Sequence, residues 1–363
     1  MAKRVGVDKW IFCITLLLVV AGLLMIFSAS AVMAQARYGS AYSFVLRQAV
    51  WAVTGLLAMW LLMHLDYRKL NNPTVVFPAI AVTVILLVLA FFGHDSHGAH
   101  RWIRVGPMQF QPSELAKPAL VLFLAWWLQD RMSRIENLRE TILPAAVPSL
   151  LFIALIVKEP DLGTAMVCAA VTALLLYLAG MNLKYLWYAA LASVVPLYFL
   201  LFRVKFRRDR IFAFLNPDAD PLGKGFHIIQ SLIAVGTGGF HGVGYMEGRQ
   251  KLFYLPEPHT DYIFANIAEE LGLIGAICIV LLFVGFGYRG VRAAVLSTDP
   301  FARFLAFGIT ATVLIQAFFN ISVVIALLPT KGITLPFVSY GGTSLFITLA
   351  SVGVLLNITR ELE

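Results

Sequence analysis

The sequence predicts an all-α polytopic membrane protein in which ten transmembrane helices form a single domain over residues 1–363. Composition is the first observation: 60% of the residues are hydrophobic and 13% are charged, whereas about 25% are charged in soluble domains. The second is that the apolar residues fall into ten segments, most of them near the ~20 residues that a helix needs to cross a bilayer. The net charge of +8 suits basic loops beside membrane lipid, and nothing resembles a surface that binds nucleic acid.

The ten apolar segments are joined mainly by short polar connections. The first segment is too long, and too far from a small-residue cleavage site, to be a removed signal peptide, so we expect it to remain as a signal anchor. Cys13, Cys168 and Cys278 lie far apart inside apolar runs, which predicts neither a disulfide framework nor a metal site. The predicted spans are residues 10–33, 44–65, 74–92, 113–129, 142–157, 163–180, 184–202, 262–288, 301–328 and 336–357.

Lys and Arg are unevenly shared between alternate connections, which indicates the orientation of the chain. With the long loop left out, the amino-terminal side has thirteen and the opposite side has six. Both termini are therefore expected in the cytoplasm, with the connections at 93–112, 158–162, 203–261 and 329–335 outside. The thirteen are Lys3, Arg4, Lys9, Arg68, Lys69, Arg131, Arg134, Arg139, Lys184, Arg289, Arg292, Arg303 and Arg360, and the six are Arg37, Arg47, Arg101, Arg104, Lys158 and Lys331.

The loop between the seventh and eighth spans, about residues 203–261, is much longer than an ordinary helix connection, and loops of this length are usually functional or disordered. Its amphipathic run at 226–235 is predicted to form a short helix along the membrane interface. The glycine-rich run at 236–244 follows no buried strand, so it is not expected to be a nucleotide-binding loop. Its glycines favour tight turns against the membrane surface or a long lipid substrate.

Asp261 lies where this loop enters the eighth span. Pro256 and Pro258 keep the approach extended, because proline fixes its own φ and biases the residue before it away from helix. An ionisable residue where protein, lipid and water meet is a functional candidate. The alternative is that Thr260 or Asp261 only caps the following helix.

Other charged residues occupy the connections predicted to face outward. Glu114 and Lys117 are three residues apart and share a helical face, so they predict either a structural salt bridge between helices or a contact with substrate. Asp161 follows a proline in a tight turn and is expected to cap the sixth span. Arg101 and Lys331 are candidate ligands for a phosphate.

Two further groups of residues allow a functional and a structural interpretation. The basic run in the long loop favours membrane anchoring, with one arginine on substrate as the alternative. Glu269 and Glu270 are expected to accept buried hydrogen bonds from neighbouring helices, and the histidines of the outer loop are a weak metal hypothesis. The basic run is Arg203, Lys205, Arg207, Arg208 and Arg210, and the histidines are His94, His97 and His100.

Several motifs, spread over nearly the whole chain, resemble one family when they are taken in order. They are Arg101-Trp102-Ile103, Gln111-Pro112-Ser113-Glu114, Pro160-Asp161-Leu162-Gly163-Thr164, Gln230-Ser231-Leu232-Ile233-Ala234, Leu255-Pro256-Glu257 with His259-Thr260-Asp261, Glu269-Glu270-Leu271-Gly272, and Ser339-Tyr340-Gly341-Gly342. This order is similar to that of the SEDS family, the polytopic peptidoglycan glycosyltransferases of shape, elongation, division and sporulation. Residues 27–30 and 329–332 resemble the division member more than the elongation member.

The resemblance implies polymerisation of lipid II, a disaccharide-peptide on undecaprenyl pyrophosphate, into β-1,4-linked glycan on the outer face of the bacterial cytoplasmic membrane during division. It implies that Asp261 is the catalytic base, supported by Glu257, His259 and Thr260. A helix amino terminus would favour the ionised carboxylate and partial desolvation would oppose it. Further expected substrate-binding residues are Arg101, Glu114, Lys117, Asp161, Arg208, Gln250, Lys331 and Ser339, of which Arg101, Lys117, Arg208 and Lys331 would stabilise the pyrophosphate.

The resemblance also implies partners, namely a class B penicillin-binding protein and other division proteins. No resident cofactor and no metal-binding residues are expected, and Mg²⁺ or Mn²⁺ on the pyrophosphate is the alternative. Two other functions stay open at this point. A lipid II flippase would use the same charged cavity with access from both leaflets, and a scaffold for division proteins would need no ionisable Asp261. An elongation-type polymerase is a variant of the same chemistry.

Overall fold

The computed structural model describes residues 6–96, 99–105, 108–252, 254–255 and 257–361, and most of them are helical. A small antiparallel sheet joins the third and fourth helices. The α-helices are α1 (Lys9–Tyr38), α2 (Ser43–His64), α3 (Pro73–Ala90), α4 (Pro112–Leu128), α5 (Leu143–Lys158), α6 (Leu162–Leu178), α7 (Leu183–Phe202), α8 (Lys205–Leu215), α9 (Phe226–Gly238), α10 (Ile263–Leu296), α11 (Pro300–Val324) and α12 (Gly342–Thr359). The strands are β1 (His94–Ser96), β2 (Ala99–Val105) and β3 (Met108–Phe110). Single turns of 3₁₀-helix lie at Tyr67–Leu70, Met132–Arg134 and Pro217–Ala219, and a π-helical turn at Leu138–Ile142 runs into α5.

The chain is an all-α, multi-pass membrane protein. Within the described residues, 8 helices are long and apolar enough to cross a bilayer, namely α1, α2, α3, α5 with its π-helical turn, α7, α10, α11 and α12. Each of the ten predicted spans overlaps a helix, but α4 and α6 have only 17 residues each. Ten crossings therefore stay a prediction, as does the single domain.

Both ends of the chain lie at one end of the helix bundle. The backbone N–H of Asp8 donates to Thr359 Oγ1 at 3.1 Å, and Arg289 Nε donates to Asp8 Oδ2 at 2.8 Å. In the connection between α2 and α3, the backbone N–H of Tyr67 donates to Asn357 Oδ1 at 3.0 Å. This arrangement agrees with termini on the same side of the membrane, and their cytoplasmic location stays a prediction.

The sheet in the connection at 93–112 was not expected from the sequence. β2 is the central strand and pairs antiparallel with β1 and β3. β1 and β3 have 3 residues each, too few for a recognisable alternation of apolar and polar residues. Thr343, at the start of α12, holds this connection by donating to the carbonyl of Gln109 at 3.0 Å.

The long loop contains two α-helices, α8 and α9. The predicted helix at 226–235 is present as α9, and one of its faces packs against protein: Ile228 and Ala234 are buried, and Ser231 Oγ donates to the Val324 carbonyl at 2.7 Å. Lys205, Arg207, Arg208 and Arg210 of the basic run lie in α8, and Arg203 directly follows α7. The loop therefore contains two helices, of which α9 packs on α10 and α11.

The predicted eighth span is broken. α10 leaves helical geometry at Gly272, where φ is 68° and ψ is −167°, so residues 263–271 form a half-helix and the longer part follows. The glycine-rich run docks on this break: Val243 N–H donates to the Glu269 carbonyl at 3.0 Å and Leu273 N–H to the Gly239 carbonyl at 2.8 Å. A Cβ on Gly242 would lie 2.1 Å from the Glu270 carbonyl oxygen. These glycines thus allow two backbones to meet, and turns against the membrane surface or a lipid substrate stay a prediction.

Candidate active site

Asp261 lies two residues before the first residue of α10, and its backbone is held firmly. Three consecutive carbonyls each accept a hydrogen bond: His259 from Tyr340 N–H at 2.9 Å, Thr260 from Ser339 Oγ at 2.6 Å, and Asp261 from Asn320 Nδ2 at 2.8 Å. The segment is therefore anchored to α11 and to the turn before α12.

The Asp261 side chain is left available. No side chain caps α10, whose N-cap residue is Tyr262, so the alternative that Thr260 or Asp261 serves as its helix cap is wrong. Among the described residues, no hydrogen bond reaches the Asp261 carboxylate. A Cβ on Gly332 would lie 2.9 Å from Asp261 Oδ2, which shows how closely the connection between α11 and α12 approaches it.

Burial raises the pKa of Asp261 to about 7, and the neighbouring Glu257 carboxylate adds to this effect. Arg210 and Arg101 oppose the rise, and Asp161 adds to it. Desolvation is the largest cause of this rise, which is the direction expected for partial desolvation. A base with a pKa near neutrality suits proton transfer at physiological pH.

The predicted residues Arg101 and Asp161 meet in the turn between α5 and α6. Arg101 donates to the backbone carbonyls of Glu159 at 2.8 Å and Pro160 at 2.6 Å. Asp161 accepts from the Thr164 N–H at 3.1 Å, which confirms that it caps α6, and also from Ser113 Oγ at 3.1 Å. This turn places one cation and one carboxylate near Asp261.

Lys331 and two arginines of α8 bring positive charge to the same place. Burial, with Arg210 and Arg207 nearby, lowers the pKa of Lys331 to about 8. Arg210 donates to the Thr330 carbonyl at 3.4 Å and Arg207 to the Val157 carbonyl at 3.2 Å. Within the described chain, no carboxylate forms an ion pair with Lys331, Arg207, Arg210 or Arg101.

Arg207 and Arg210 were not singled out from the basic run, whereas Arg208 was. Arg208 is exposed, while Arg207 and Arg210 are half-buried. The sequence could have distinguished them. Arg207 and Arg210 are three residues apart and so share one face of a helix, whereas Arg208 lies on another face.

Glu159 is a second site residue that the sequence did not indicate. Its side chain is 1% exposed, and both carboxylate oxygens lack a hydrogen-bond partner within the described residues. Burial and the Asp161 carboxylate raise the pKa of Glu159 to about 8, against the effect of Arg101. Buried polar groups without partners are rare in folded proteins.

Glu114 and Lys117 form the predicted pair, and it is buried. Lys117 Nζ lies 2.7 Å from Glu114 Oε2 and 2.6 Å from Gln316 Oε1, which ties α4 to α11. Gln316 Nε2 in turn donates to the Thr334 carbonyl at 3.0 Å. The ion pair lies within α4, and Gln316 joins it to α11, which agrees with the structural alternative; contact with substrate stays a prediction.

The remaining predicted residues surround the approach to Asp261. His259 packs its ring 4.5 Å from that of Phe44, and burial lowers the pKa of its imidazole against the opposing effect of Glu257. Glu257 is exposed, with its carboxylate 3.9 Å from His259 Nε2, and Thr260 Oγ1 donates to the Glu257 carbonyl at 3.2 Å. The backbone N–H of Gln250 is held by Glu269.

Ser339 uses its hydroxyl within this framework, because the hydroxyl donates to Thr260 and accepts from the Leu335 N–H at 2.8 Å. Pro256 and His97 lie outside the described residues, as do the side chains of His94 and His100. In the part of the chain that the structure describes, no three His, Cys, Asp or Glu side chains are grouped so that they could hold a metal ion.

Comparisons with known proteins agree with this architecture. The family model described as "Cell cycle protein", which covers FtsW, RodA and SpoVE, matches residues 8–363. The probable peptidoglycan glycosyltransferase FtsW of Geobacter metallireducens is 44% identical over 345 residues, covering 94% of this chain and 92% of the relative. Stage V sporulation protein E of Bacillus subtilis is 41% identical over 359 residues, covering 99% and 98%.

A solved structure is similar throughout. It is described as "Structural coordination of polymerization and crosslinking by a peptidoglycan synthase complex", with 30% identity, a TM-score of 0.81 and coverage of 98% of both chains. The chain therefore belongs to the FtsW, RodA and SpoVE family, the SEDS proteins, and it is FtsW-like.

Proposed function

We propose that this protein is a peptidoglycan glycosyltransferase that polymerises lipid II into β-1,4-linked glycan on the outer face of the bacterial cytoplasmic membrane during cell division. The observation that carries the proposal is the Asp261 carboxylate, whose pKa is raised to about 7 and which accepts no hydrogen bond from the described residues. Unpaired cations lie beside it. The names of the FtsW relatives support the same activity.

The chemistry needs a base, an electrophilic sugar carbon and a stabilised leaving group. Asp261 takes the proton from the acceptor 4-hydroxyl, and the oxygen attacks the anomeric carbon of the donor sugar from the face opposite the pyrophosphate. The bond from that carbon to the pyrophosphate oxygen breaks, and undecaprenyl pyrophosphate leaves with the electron pair. Fixed positive charge at the leaving group lowers the barrier.

Arg101, Arg210 and Lys331 are the groups that we assign to the pyrophosphate. They form no ion pair with a carboxylate within the described residues; Arg101 and Arg210 act on Asp261, and Lys331 lies near Arg210. Lys117 is not assigned to this role, because its ammonium group already donates to Glu114 and Gln316. Arg208 is replaced by Arg210, since Arg208 lies exposed on another side of α8.

Several features of the cellular setting belong to the proposal. Both termini would lie in the cytoplasm and Asp261 outside, as the distribution of Lys and Arg indicates. The similar synthase complex supports a class B penicillin-binding protein as partner, with other division proteins around the pair. Any Mg²⁺ or Mn²⁺ would be held chiefly by the pyrophosphate, as Mg²⁺ commonly is in phosphate chemistry.

The test is polymerisation of purified lipid II by the chain with its penicillin-binding partner. Asp261→Asn should lower the rate by about 10²–10⁴-fold, the usual contribution of a general base. The matched control is Asp218→Asn, because Asp218 is exposed in the same loop and should keep the wild-type rate. Full polymer from Asp261→Asn would contradict the base assignment. No polymer from the wild type with its partner would favour transport or scaffolding, and an assay of access from both leaflets would then choose between them.

A further inference from the structure

A buried cluster of charge lies away from the reacting groups, where α1, the half-helix of α10 and the loop after α9 meet. Lys251 Nζ is 2.6 Å from Glu270 Oε1 and 2.9 Å from Ser28 Oγ. Ser28 Oγ donates to Glu270 at 2.6 Å, and the Met246 N–H donates to Glu270 Oε2 at 3.0 Å. Ser28, Lys251 and Glu270 are 0%, 4% and 1% exposed. The expectation of buried hydrogen bonding is thus confirmed for Glu270, since Ser28 belongs to α1.

The adjacent carboxylate extends this grip to the loop. Glu269 Oε1 accepts from the Arg249 N–H at 2.7 Å and from the Gln250 N–H at 3.2 Å. The Leu255 N–H then donates to the Gln250 carbonyl at 2.8 Å, so the held loop continues directly into the segment that carries Asp261. The half-helix at residues 263–271 therefore holds the loop that carries Asp261 at two places. Asp261 lies just before the first residue of the half-helix, and Glu269 and Glu270 lie near its last residue.

The break at Gly272 makes this grip necessary. Helical hydrogen bonding does not carry the direction of the membrane-crossing part of α10 into the half-helix, because Gly272 has φ of 68°. The half-helix must take its position from side contacts. Glu270 lies nine residues after Asp261, about 14 Å at 1.5 Å per residue, and a short helix moves as a rigid rod. A displacement at Glu270 is therefore passed to Asp261.

We propose that Ser28, Lys251 and Glu270 form a clamp that positions Asp261 for the reaction and makes its position depend on α1. The inference rests on the proposed function for its catalytic consequence. A buried ion pair that loses one partner leaves an uncompensated charge, so loosening the clamp shifts the half-helix. Asp261 then gains water and its pKa falls toward the ordinary value.

The charged groups that act on Asp261 are all outside the clamp. They are Glu257 before it, Arg101 of β2, Asp161 at the start of α6, and Arg210 of α8. A clamp variant leaves each of them in the chain. A changed pH dependence in such a variant therefore reports the placement of Asp261 among them, and not the removal of a neighbouring charge.

The experiment compares Lys251→Met with Arg289→Met in the full chain with its partner in proteoliposomes. Arg289 is the matched control, because it pairs with Asp8 and so links the same helices, α1 and α10, at their other end. Lys251→Met should lower the rate of lipid II polymerisation by about 10²-fold, as misplacement of a catalytic group by 1 Å does. It should also move the acid limb of the pH–rate profile to lower pH. Arg289→Met should keep the wild-type midpoint.

Hydrogen–deuterium exchange supplies a readout that needs no activity. The backbone amides of residues 257–264 should exchange faster in Lys251→Met than in the wild type. In Arg289→Met they should exchange at the wild-type rate. Unchanged exchange in Lys251→Met would overturn the clamp even if the wild type polymerises lipid II. Faster exchange in Lys251→Met, together with a wild-type chain that makes no polymer, would keep the clamp and reject the proposed function.

Two milder variants keep the test valid if Lys251→Met does not fold. Ser28→Ala keeps the ion pair and should shift the acid limb in the same direction by less, whereas Ser28→Thr keeps the hydroxyl and should restore the wild-type midpoint. If Ser28→Ala leaves both the midpoint and the exchange as in the wild type, or if Arg289→Met moves them equally, the cluster only supports the fold and the proposal is wrong.

Discussion

The charges inside the bundle and those around Asp261 differ in whether they form ion pairs. Inside, Lys117 is satisfied by Glu114 and Gln316, and Lys251 is satisfied by Glu270 and Ser28. Around Asp261, the carboxyl groups of Asp261, Asp161 and Glu159 form no ion pair with a Lys or Arg side chain among the described residues, although Arg101 and Arg210 lie near. Both groups are at least half-buried, so burial alone does not distinguish them.

The difference separates charges that hold helices from charges kept for a ligand. Removing a charge from water costs several kcal/mol, and a good partner is needed to offset that cost. The inner pairs meet this condition. The groups around Asp261 form no such pair among the described residues, so a bound substrate of suitable charge would offset part of that cost. An anion such as a pyrophosphate fits the cations, and a hydroxyl proton fits Asp261.

Breaking an inner pair should have the largest effect. Lys117→Met leaves Glu114 buried without its cation, which should lower the free energy of unfolding by about 3–5 kcal/mol. Unfolding in mixed detergent measures it, with Lys184→Met as control because Lys184 is exposed at the start of α7. If Lys117→Met keeps the wild-type stability but polymerises lipid II much more slowly, Lys117 contacts substrate and does not serve to hold the helices.

Removing a cation near Asp261 should lower the rate of polymerisation without changing the free energy of unfolding. Lys331→Met should lower the rate of polymerisation by about 10²-fold, comparable with the loss of one electrostatic donor at a developing charge. Because the pKa of Lys331 is about 8 and the charged form is needed, the wild-type rate should fall as pH rises through that value. Lys331→Arg should keep most of the rate and move this limb to higher pH, since a guanidinium stays charged.

The control for this prediction is Lys205→Met, because Lys205 is exposed on α8. It should change neither the rate nor the alkaline limb. Equal losses in Lys331→Met and Lys205→Met would mean that general attraction of an anionic lipid, and not contact with the leaving group, explains the effect.

The sequence predicted the membrane class and the helices, because long apolar runs have few alternative structures in a bilayer. It also predicted that Glu114 pairs with Lys117, since both lie on the same face of one helix. These successes depend on local spacing. The break at Gly272 was missed, because glycine is common in membrane helices and nothing local shows that the backbone of residues 239–244 docks there.

The site was predicted unevenly for the same reason. Asp261 stood out through its position and the family resemblance, but its freedom from a capping bond depends on how Asn320 and Ser339 hold the backbone. Arg210 was distinguishable from Arg208 by helical spacing alone. Glu159 was not distinguishable, because its isolation depends on the packing of the turn between α5 and α6.

Glu159 gives the last test of the difference between paired and unpaired buried charges, and its expected effect on stability is the smallest. Its pKa is raised from 4.5 to about 8, so between these values the folded chain holds a proton that the unfolded chain has released. Stability therefore falls as pH rises across this interval, by about 1.4 kcal/mol per pH unit for one proton. Asp261 contributes in the same direction up to about 7, which leaves Glu159 as the contributor between the two values.

Glu159→Gln resembles the protonated acid at every pH, so it should make the free energy of unfolding less dependent on pH above neutrality. Glu136→Gln is the control, because Glu136 is exposed and should leave the slope as in the wild type. An unchanged slope in Glu159→Gln would mean that Glu159 is ionised and compensated in the folded chain. Glu159 would then resemble Glu114 and Glu270, whose charges are compensated by partners. The absence of ion pairs around Asp261 would no longer indicate which side chains bind substrate.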